Sequence, residues 1–383
     1  MRKTWDVVVI GAGVFGAWVA WHLLRSGMRV LMVDQYGPAT ARASSGGETR
    51  VIRMAYGPDE IYTRMAQRSL VQWKEFFAHI HRPELFRETG VLWLADADYA
   101  PAAQSVDVLA HNGVRHEVLD SNALARRYPQ LVVPPGGWAV FEPDSGALLA
   151  RRAVQAVVED NLRAGAELRI DHVAAPVGDT HLDEIRTASS EIFSAGQFVF
   201  ACGPWLGRAL PDVLGGRIFP TRQEVFYFGT AQGDHRFASP ALPIWLDFER
   251  GYYGMPDIDG RGFKIAHDTH GEPMDPDTAD RAPTAERIAH AREFLARRFP
   301  GVAAAPLLSA EVCQYENTSN GDFIIDRHPG FDNVWIAGGG SGHGFKHGPA
   351  VGEYLVERML RDGRVEPRFS LSTKTCEQRR EVL

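Results

Sequence analysis

Two glycine-rich segments, one near each end of the chain, have the residue types that bind phosphate groups and other anions. The first is Gly11-Ala-Gly13-Val-Phe-Gly16, and Asp34 ends the next apolar run. Glycines at this spacing allow a tight turn from strand to helix and a close approach of pyrophosphate, while the acidic residue accepts ribose hydroxyls. The pattern predicts a dinucleotide site. It leaves FAD and NAD open and disfavours NADP, because Gln35-Tyr36 offers no arginine for a 2′-phosphate.

The second segment runs from Gly338 to Lys346, and five of its first seven residues are glycine. Because so much backbone freedom is costly, a close ligand contact explains the segment better than a surface turn does. The side chains of His343 and Lys346 and the amides at a helix start would stabilise negative charge on the N1–C2=O side of a reduced flavin. Two anion-binding segments in one nucleotide fold therefore favour flavin over nicotinamide.

A β-α-β unit surrounds the first segment. Trp5–Ile10 and Arg29–Asp34 are apolar runs typical of buried parallel strands, and Val14–Ser26 between them has a helical apolar stripe. Gly27 follows that helix at the usual position of a C-terminal cap. Three later elements are predicted for the same layer, namely the strands Phe198–Ala201 and Asn333–Ala337 and the helix Pro349–Arg361.

Between these elements the sequence changes to short strands rich in aromatic residues and bounded by turn residues, which is typical of an antiparallel sheet. An amphipathic helix, Thr284–Phe299, is expected to stop at Pro300-Gly301. The predicted short strands are Glu88–Ala95, Trp138–Phe141, Gln223–Gly229, Ile244–Phe248, Gly251–Met255 and Gly262–His267.

These elements predict a mixed α/β and α+β fold. A Rossmann-type FAD-binding domain, discontinuous in sequence, is expected to carry an inserted mixed antiparallel-sheet substrate domain. We assign residues 1–84, 145–215 and 318–383 to the FAD-binding domain and residues 85–144 and 216–317 to the substrate domain.

Composition restricts the class of protein further. The 383 residues are 45% hydrophobic and 23% charged, as in soluble globular proteins, and the net charge of −7 argues against a nucleic-acid partner. Cys202, Cys313 and Cys376 are too few and too scattered for a disulfide framework or a metal site. The apolar run Val7–Leu24 is explained by the β-α unit rather than by a membrane span. We expect a cytoplasmic monomer with small-molecule partners and no metal.

A series of motifs in one order along the chain carries a resemblance to a known family. The motifs are the first glycine segment, Ser44-Ser-Gly-Gly-Glu-Thr-Arg50-Val-Ile-Arg53, Tyr252-Tyr-Gly, Lys264, Cys313-Gln-Tyr315, Asp322-Phe-Ile-Ile-Asp326 and Ser341-Gly-His-Gly-Phe-Lys346. They resemble the D-amino-acid-oxidase superfamily, and most closely the monomeric sarcosine oxidase and N-methyl-amino-acid oxidase branch. The similarity extends from about residue 5 to about residue 360, and its most specific parts are 322–326 and 341–346.

The resemblance implies a carboxylate clamp formed by Arg53 and Lys346. An arginine fork binds a carboxylate through two charge-assisted hydrogen bonds. On a helical turn, Arg50 and Arg53 would face the same side, and Arg50 would place a charge beside the flavin or in the pocket. Two solvated arginines are the alternative reading of this pair.

The resemblance also implies roles for a lysine, a cysteine and two tyrosines. Lys264 corresponds to the lysine that the family places over the flavin for reaction with O2, and its alternative reading is a lysine on a sheet edge. Cys313 corresponds to the cysteine that forms a thioether with the flavin 8α-methyl group, and its alternative reading is a small buried apolar residue. Tyr253 and Tyr315 correspond to pocket tyrosines.

The cofactor assignment collects the motif positions and the positions that the resemblance implies. We assign to FAD the residues Gly11, Gly13, Val14, Phe15, Gly16, Asp34, Gln35, Ser44, Ser45, Thr49, Arg50, Val173, Ala201, Gly203, Trp205, Cys313, Gly340, Gly342, His343, Gly344, Phe345 and Lys346.

Two departures from the family pattern concern the substrate. The family's typical sarcosine oxidase has a histidine four residues beyond the lysine, where this chain has Asp268 between His267 and His270. It also has a histidine in the loop before the arginines, where this chain has Gly46. An added carboxylate and a lost imidazole change the charge and volume of the pocket. Sarcosine therefore stays an open question, and a larger or more cationic amine is kept as an alternative.

The predicted reaction is oxidation of the C–N bond of a secondary amino acid, N-methyl or cyclic, or of an amine bearing a carboxylate. Hydride moves to flavin N5, the imine is hydrolysed, and O2 reoxidises the flavin to give hydrogen peroxide. Tyr253, His343 and Asp268 are the candidates for keeping the amine neutral. Three alternatives stay open: a dehydrogenase with another electron acceptor, an NAD-dependent enzyme, and a non-catalytic flavin-binding subunit or redox sensor.

Overall fold

The computed structural model describes residues 4–269, 271–361, 363–379 and 382. The strands are β1 (Thr4–Ile10), β2 (Val30–Asp34), β3 (Arg50–Ile52), β4 (Phe86–Arg87), β5 (Val91–Ala95), β6 (Glu117–Asp120), β7 (Trp138–Glu142), β8 (Gly146–Leu148), β9 (Glu167–Ile170), β10 (Glu184–Arg186), β11 (Ile192–Phe200), β12 (Phe219–Phe228), β13 (Ile244–Asp247), β14 (Tyr252–Met255), β15 (Phe263–His267), β16 (Leu307–Asn317), β17 (Ile324–Arg327) and β18 (Val334–Gly338).

The α-helices vary in length from one turn to more than five turns. They are α1 (Val14–Arg25), α2 (Glu60–His79), α3 (Ala100–His111), α4 (Ser121–Arg127), α5 (Ala150–Arg163), α6 (Leu206–Ala209), α7 (Pro211–Leu214), α8 (Ala285–Arg298), α9 (Pro300–Ala303) and α10 (Gly348–Arg361).

A largely parallel sheet brings the glycine segments to one edge. Its order is β17-β18-β11-β1-β2-β9, with β10 also on β11. The five strands from β18 to β9 run parallel to one another, so their carboxyl ends lie together. Gly11 follows β1, Asp34 ends β2, Ala201 follows β11 and Gly338 ends β18. In an open α/β sheet this edge is where ligands bind.

A second sheet has eight strands in the order β16-β12-β15-β14-β13-β5-β7-β6. Its pairs are antiparallel except β13 with β5, which are parallel. One face packs on α8 through Trp245, whose ring stacks on Phe294 with centroids 5.5 Å apart. The mixed antiparallel sheet predicted from the sequence is therefore present.

One apolar cluster connects the two sheets. It contains Val9 of β1 and Trp73 of α2 together with Trp93 of β5 and Leu246 of β13, and all four are buried. Because burial of apolar area is the main favourable term in folding, removing either sheet would expose part of this shared core. The two sheets therefore share one apolar cluster. The division of the chain into an FAD-binding domain and a substrate domain stays a prediction.

The local structure around Arg50 and Arg53 differs from the prediction. The helical turn expected there is wrong, because residues 50–52 form β3, paired antiparallel with β8. Arg50 begins this strand, whereas Arg53 follows its last residue, Ile52. The two guanidinium groups accordingly have different surroundings, as described below.

Several elements were not predicted from the sequence, among them α2 and β16. Helix α2 has an apolar stripe that includes Tyr62, Ala66, Trp73 and Phe77, all buried, so a helical signal was present. Helix α8 ends before Pro300, as expected, and Pro300 also begins the short helix α9. In the described part of the chain, every helix is too short or too polar to cross a bilayer.

Candidate active site

Two glycines of the first glycine-rich segment, Gly11 and Gly16, have no room for a side chain. Gly11 has φ +103°, and a Cβ atom on it would lie 2.2 Å from the carbonyl oxygen of Ala201. A Cβ atom on Gly16 would lie 1.9 Å from the carbonyl oxygen of Gly11. The Asp34 carboxylate accepts hydrogen bonds from the amides of Ala12 at 2.7 Å and Tyr36 at 2.9 Å. Both glycines and the aspartate therefore have the positions expected of a dinucleotide-binding turn.

A long cleft follows the carboxyl edge of the parallel sheet. Most of the residues assigned to the cofactor line it, but Gly16, Thr49, His343 and Lys346 lie beside its lining. Those that line it are Gly11, Gly13, Val14, Phe15, Asp34, Gln35, Ser44, Ser45, Arg50, Val173, Ala201, Gly203, Trp205, Cys313, Gly340, Gly342, Gly344 and Phe345.

The cleft fits FAD by its hydrogen-bond donors and its charged groups. The first turn of α1, Val-Phe-Gly-Ala, has no carboxylate, so its amides and the positive end of the helix are compatible with a pyrophosphate. The hydroxyl of Ser45 accepts a hydrogen bond from the Val14 amide at 3.1 Å and fixes the loop that forms one wall. Arg50 and Arg208 add positive charge to the lining.

Asp277 closes one end of the cleft and was not predicted. Its carboxylate accepts hydrogen bonds from Trp205 Nε1 at 2.7 Å and from the Tyr36 hydroxyl at 2.8 Å, and it pairs with Arg208. The loop that carries Asp277 follows β15 of the eight-stranded sheet, so it connects that sheet to the parallel one. No local motif marks this residue, because its partners come from two distant segments, one with Tyr36 and one with Trp205 and Arg208.

Arg50 and Cys313 meet in the cleft. Nη2 of Arg50 lies 3.4 Å from the sulfur of Cys313 and donates to the carbonyl oxygen of Ser44 at 2.8 Å. Cys313 lies on β16, opposite Gln223 of β12, which fixes the direction of its side chain. The arrangement places a guanidinium beside a thiol at the surface of the cleft.

Lys264 is buried in the interior of the second sheet. Strand β15 has β12 on one side and β14 on the other, so the sheet-edge reading does not apply. The ammonium group donates to the carbonyl oxygen of Thr49 at 2.9 Å and to its hydroxyl at 3.1 Å. Burial, and then the charge of Arg50, lower the pKa of Lys264 to about 7. A lysine with this pKa changes its charge near neutral pH.

Arg53 occupies an aromatic cage. Its guanidinium carbon lies 4.3 Å from the ring centroid of Tyr56, 5.0 Å from that of Phe248 and 5.3 Å from that of Trp93. The side chain is buried, which excludes the reading of a solvated arginine. The backbone that follows is held by Glu142, whose carboxylate accepts from the amides of Met54 and Ala55.

Lys346 shares Tyr56 with Arg53. Its ammonium group donates to the Tyr56 hydroxyl at 2.7 Å and to the carbonyl oxygen of His343 at 3.0 Å. Burial, and then the neighbouring Arg53, hold the pKa of Lys346 well below its usual value. The ring of His343 stacks on Phe323, with centroids 4.8 Å apart. The structure thus brings together the two cations of the predicted clamp.

Asp268 and the two predicted pocket tyrosines are neighbours. The Tyr315 hydroxyl donates to Asp268 at 2.9 Å. Burial raises the pKa of Tyr253 to about 12, and the nearby Asp268 contributes to that shift. His270, which the sequence places beside this group, lies outside the described residues.

Glu316 is a second residue that sequence reasoning missed. It lines the cleft, and its carboxylate accepts a hydrogen bond from the Gly339 amide at 2.7 Å. Burial raises the pKa of Glu316 to about 7. Its place in the sequence, directly after Tyr315, was the available signal, since that segment was already assigned to the cofactor and substrate.

The fold and the cleft define an FAD-dependent oxidoreductase. Residues 6–358 match the DAO family, described as FAD dependent oxidoreductase, and the chain belongs to that family. The family resemblance, the fold class and the choice of FAD as the cofactor, all made from the sequence, are thereby confirmed.

The similarity to known relatives covers nearly the whole chain. The chain is 32% identical to the monomeric sarcosine oxidase of Arthrobacter sp. (strain TE1826) over 380 residues, covering 97% of this chain and 96% of the relative. It is 32% identical to the N-methyl-L-tryptophan oxidase of Escherichia coli O127:H6, covering 92% of this chain and 94% of the relative. The structure of L-proline dehydrogenase from P. horikoshii has a TM-score of 0.83 at 21% identity, covering 97% of this chain and 98% of that one, so the two share a fold.

Proposed function

We propose that the protein oxidises the C–N bond of a secondary amino acid, N-methyl or cyclic, or of an amine that bears a carboxylate. The observation that carries this proposal is the burial of Arg53 and Lys346 around one tyrosine ring, next to Gly344 and Phe345 of the cleft. Two like charges that are buried close together repel each other, and an anion that binds between them lowers the energy of the site. A substrate carboxylate is an anion of the right chemistry for both.

The carboxylate clamp orients the substrate. Each charge-assisted hydrogen bond to the carboxylate contributes about 1.5–3 kcal/mol when the site excludes water. Arg53 has the planar fork that suits a carboxylate, and Lys346 adds a point charge. This binding holds the amine end of the substrate at a fixed distance from the clamp, toward Asp268 and the two tyrosines.

The amine has to lose its proton before hydride can leave the neighbouring carbon. Asp268 is an acceptor held by the Tyr315 hydroxyl, and Tyr253 and His343 are further polar groups in the same region. A carboxylate that takes the ammonium proton acts as a general base. We assign that role to Asp268 first, because its hydrogen bond to Tyr315 fixes its position.

Bound in the cleft, FAD would supply the redox chemistry, as a hydride acceptor at N5 that returns the electrons to O2 as hydrogen peroxide. Lys264 is proposed to hold positive charge where oxygen becomes negatively charged. Cys313 is proposed as the site of covalent attachment, supported by its exposure to the cleft beside Arg50. The imine that leaves is hydrolysed in water. We propose a monomer, because relatives of matching length are named monomeric.

Anaerobic bleaching of the flavin tests the proposal. N-methyl, cyclic and primary amino acids would each be compared with the amine that lacks the carboxylate. Bleaching by a carboxylate-bearing secondary amine, followed by stoichiometric peroxide on admission of air, is the expected result. Bleaching without peroxide would favour a dehydrogenase that uses another acceptor. A flavin that no amine bleaches would contradict the proposal and favour a non-catalytic flavin-binding protein.

A further inference from the structure

Tyr56 contacts both cations of the proposed clamp, and nothing in the sequence pattern singled it out. The ring centroid lies 4.3 Å from the guanidinium carbon of Arg53 and 5.1 Å from the ammonium nitrogen of Lys346. Its hydroxyl accepts a hydrogen bond from that ammonium at 2.7 Å. The side chain is fully buried. One residue thus provides an aromatic face for the first cation and an oxygen for the second.

Two histidines complete the surroundings of the hydroxyl. Nε2 of His347 lies 2.8 Å away and Nδ1 of His343 lies 3.3 Å away. A phenol has one proton to donate and accepts at its oxygen. Because the Lys346 ammonium donates to Tyr56, the phenol proton is directed at a histidine. Burial, and then the charges of Lys346 and His343, hold the pKa of His347 well below its usual value, so its ring is neutral and accepts that proton.

This arrangement restricts where Lys346 can go. A lysine side chain has four rotatable bonds and loses conformational entropy when its end is fixed. The Tyr56 oxygen and the carbonyl oxygen of His343 take two of the three ammonium protons. The third proton is left for the substrate, so the ammonium group is already oriented before the carboxylate arrives.

We propose that Tyr56 is the positioning residue of the carboxylate clamp: it holds the Lys346 ammonium with its hydroxyl and the Arg53 guanidinium with its ring face. This inference rests on the proposed function, since it assumes that a carboxylate binds between these cations. It goes beyond that function because it makes the affinity for the carboxylate depend on Tyr56, a residue that need not touch the substrate.

The experiment uses the flavin-loaded protein and two probes. (Methylsulfanyl)acetate carries a carboxylate but has sulfur in place of the oxidisable amine, and its amide has the same shape without the charge. Binding is followed by the change that each probe causes in the visible flavin spectrum. In Tyr56→Phe, affinity for the acid is expected to fall roughly tenfold, as for loss of a buried hydrogen bond to a charged group. Affinity for the amide should change little.

Tyr62→Phe is the matched control. Tyr62 is also fully buried, and its ring centroid lies 5.4 Å from that of Tyr56. Its hydroxyl donates to Asp322 at 2.7 Å instead of contacting the clamp. This variant removes the same atom from the same part of the core, so it reports the structural cost alone. It should keep the preference of the wild type for the acid over the amide.

A double-mutant cycle with Lys346→Met tests whether Tyr56 acts through the lysine. Once Lys346 is absent, Tyr56→Phe should have no further effect on affinity for the acid. If Tyr56→Phe is insoluble, the solubility of the double variant Tyr56→Phe, Lys346→Met is the test. Removing both partners of a buried hydrogen bond destabilises the fold less than removing one of them. A soluble double variant would then support the inference, and an insoluble one would assign Tyr56 to packing.

The outcomes separate this inference from the proposed function. If the wild type binds the acid and the amide equally, the clamp is wrong and the Tyr56 role is overturned with it. If the wild type prefers the acid and Tyr56→Phe keeps that preference, the clamp stands and only the Tyr56 role is overturned.

Discussion

The guanidinium Nη2 of Arg50 lies 3.4 Å from the sulfur of Cys313, and both side chains line the cofactor cleft. The same arginine donates to the carbonyl oxygens of Ser44 and Thr49, so its position is fixed by the loop before β3. This relationship is the structural support for a covalent flavin.

Replacement of Cys313 by serine is expected to release the flavin. Acid precipitation of the wild type should leave the yellow colour in the pellet, while the pellet of Cys313→Ser should be colourless, because serine forms no thioether. Cys202→Ser is the control, since Cys202 is a second thiol in the lining of the same cleft. Yellow supernatant from the wild type would rule out the tether.

Replacement of Lys264 by methionine should slow flavin reoxidation by about 100-fold, the usual effect of removing one charge-stabilising donor from an active site. Reduction by substrate should change much less, because the positive charge is needed where oxygen is reduced. Stopped-flow absorbance measures both half-reactions separately. Lys74→Met, on the surface, is the control. Equal slowing of the two half-reactions would remove the assigned role.

The rate of reoxidation should depend on pH through Lys264. Its pKa is lowered to about 7, so the ammonium form predominates below that pH and is lost above it. The second-order rate constant for O2 is therefore expected to decrease as pH rises through about 7 and to level off at high pH. This dependence should be absent in Lys264→Met. A rate constant that increases with pH in the wild type would contradict the assignment.

Arg53→Ala is expected to lower kcat/KM for carboxylate-bearing substrates by roughly 10²–10⁴-fold, the effect of losing two charge-assisted hydrogen bonds of about 1.5–3 kcal/mol each. Amines without the carboxylate should be affected little. Arg64→Ala provides the control, because Arg64 pairs with Glu60 on the exposed side of α2. An equal loss with both kinds of substrate would mean that Arg53 supports the fold and does not bind the carboxylate.

Asp268→Asn should slow flavin reduction by about 100-fold or more at a pH below the pKa of the substrate amine, because a general base is lost. The difference from the wild type should shrink as pH rises, since the free amine then needs no base. Anaerobic reduction rates measured across this pH range provide the test. A constant ratio at every pH would argue that Asp268 only shapes the pocket.

Much of the cofactor site was predictable because its signals are local. The turn after β1 requires glycine at positions 11 and 16, since a Cβ atom at either would overlap a backbone oxygen. Asp34 could be placed because the end of a buried strand is visible in the apolar pattern. The order of the family motifs then supplied Arg53, Lys264 and Lys346, whose roles have no local signal of their own.

The sequence by itself determined the β-α-β unit and the two glycine segments, because each depends on residues close together in the chain, and it determined the family through the order of short local motifs. Only the tertiary structure decided that Arg50 lies beside Cys313 while Arg53 lies against Tyr56, since a strand and not a helical turn forms at residues 50–52. Only the tertiary structure shows that Tyr56 contacts Lys346, which is 290 residues away in the chain. A contact across that separation depends on how two sheets and α2 pack around a shared core, which no spacing along the chain encodes.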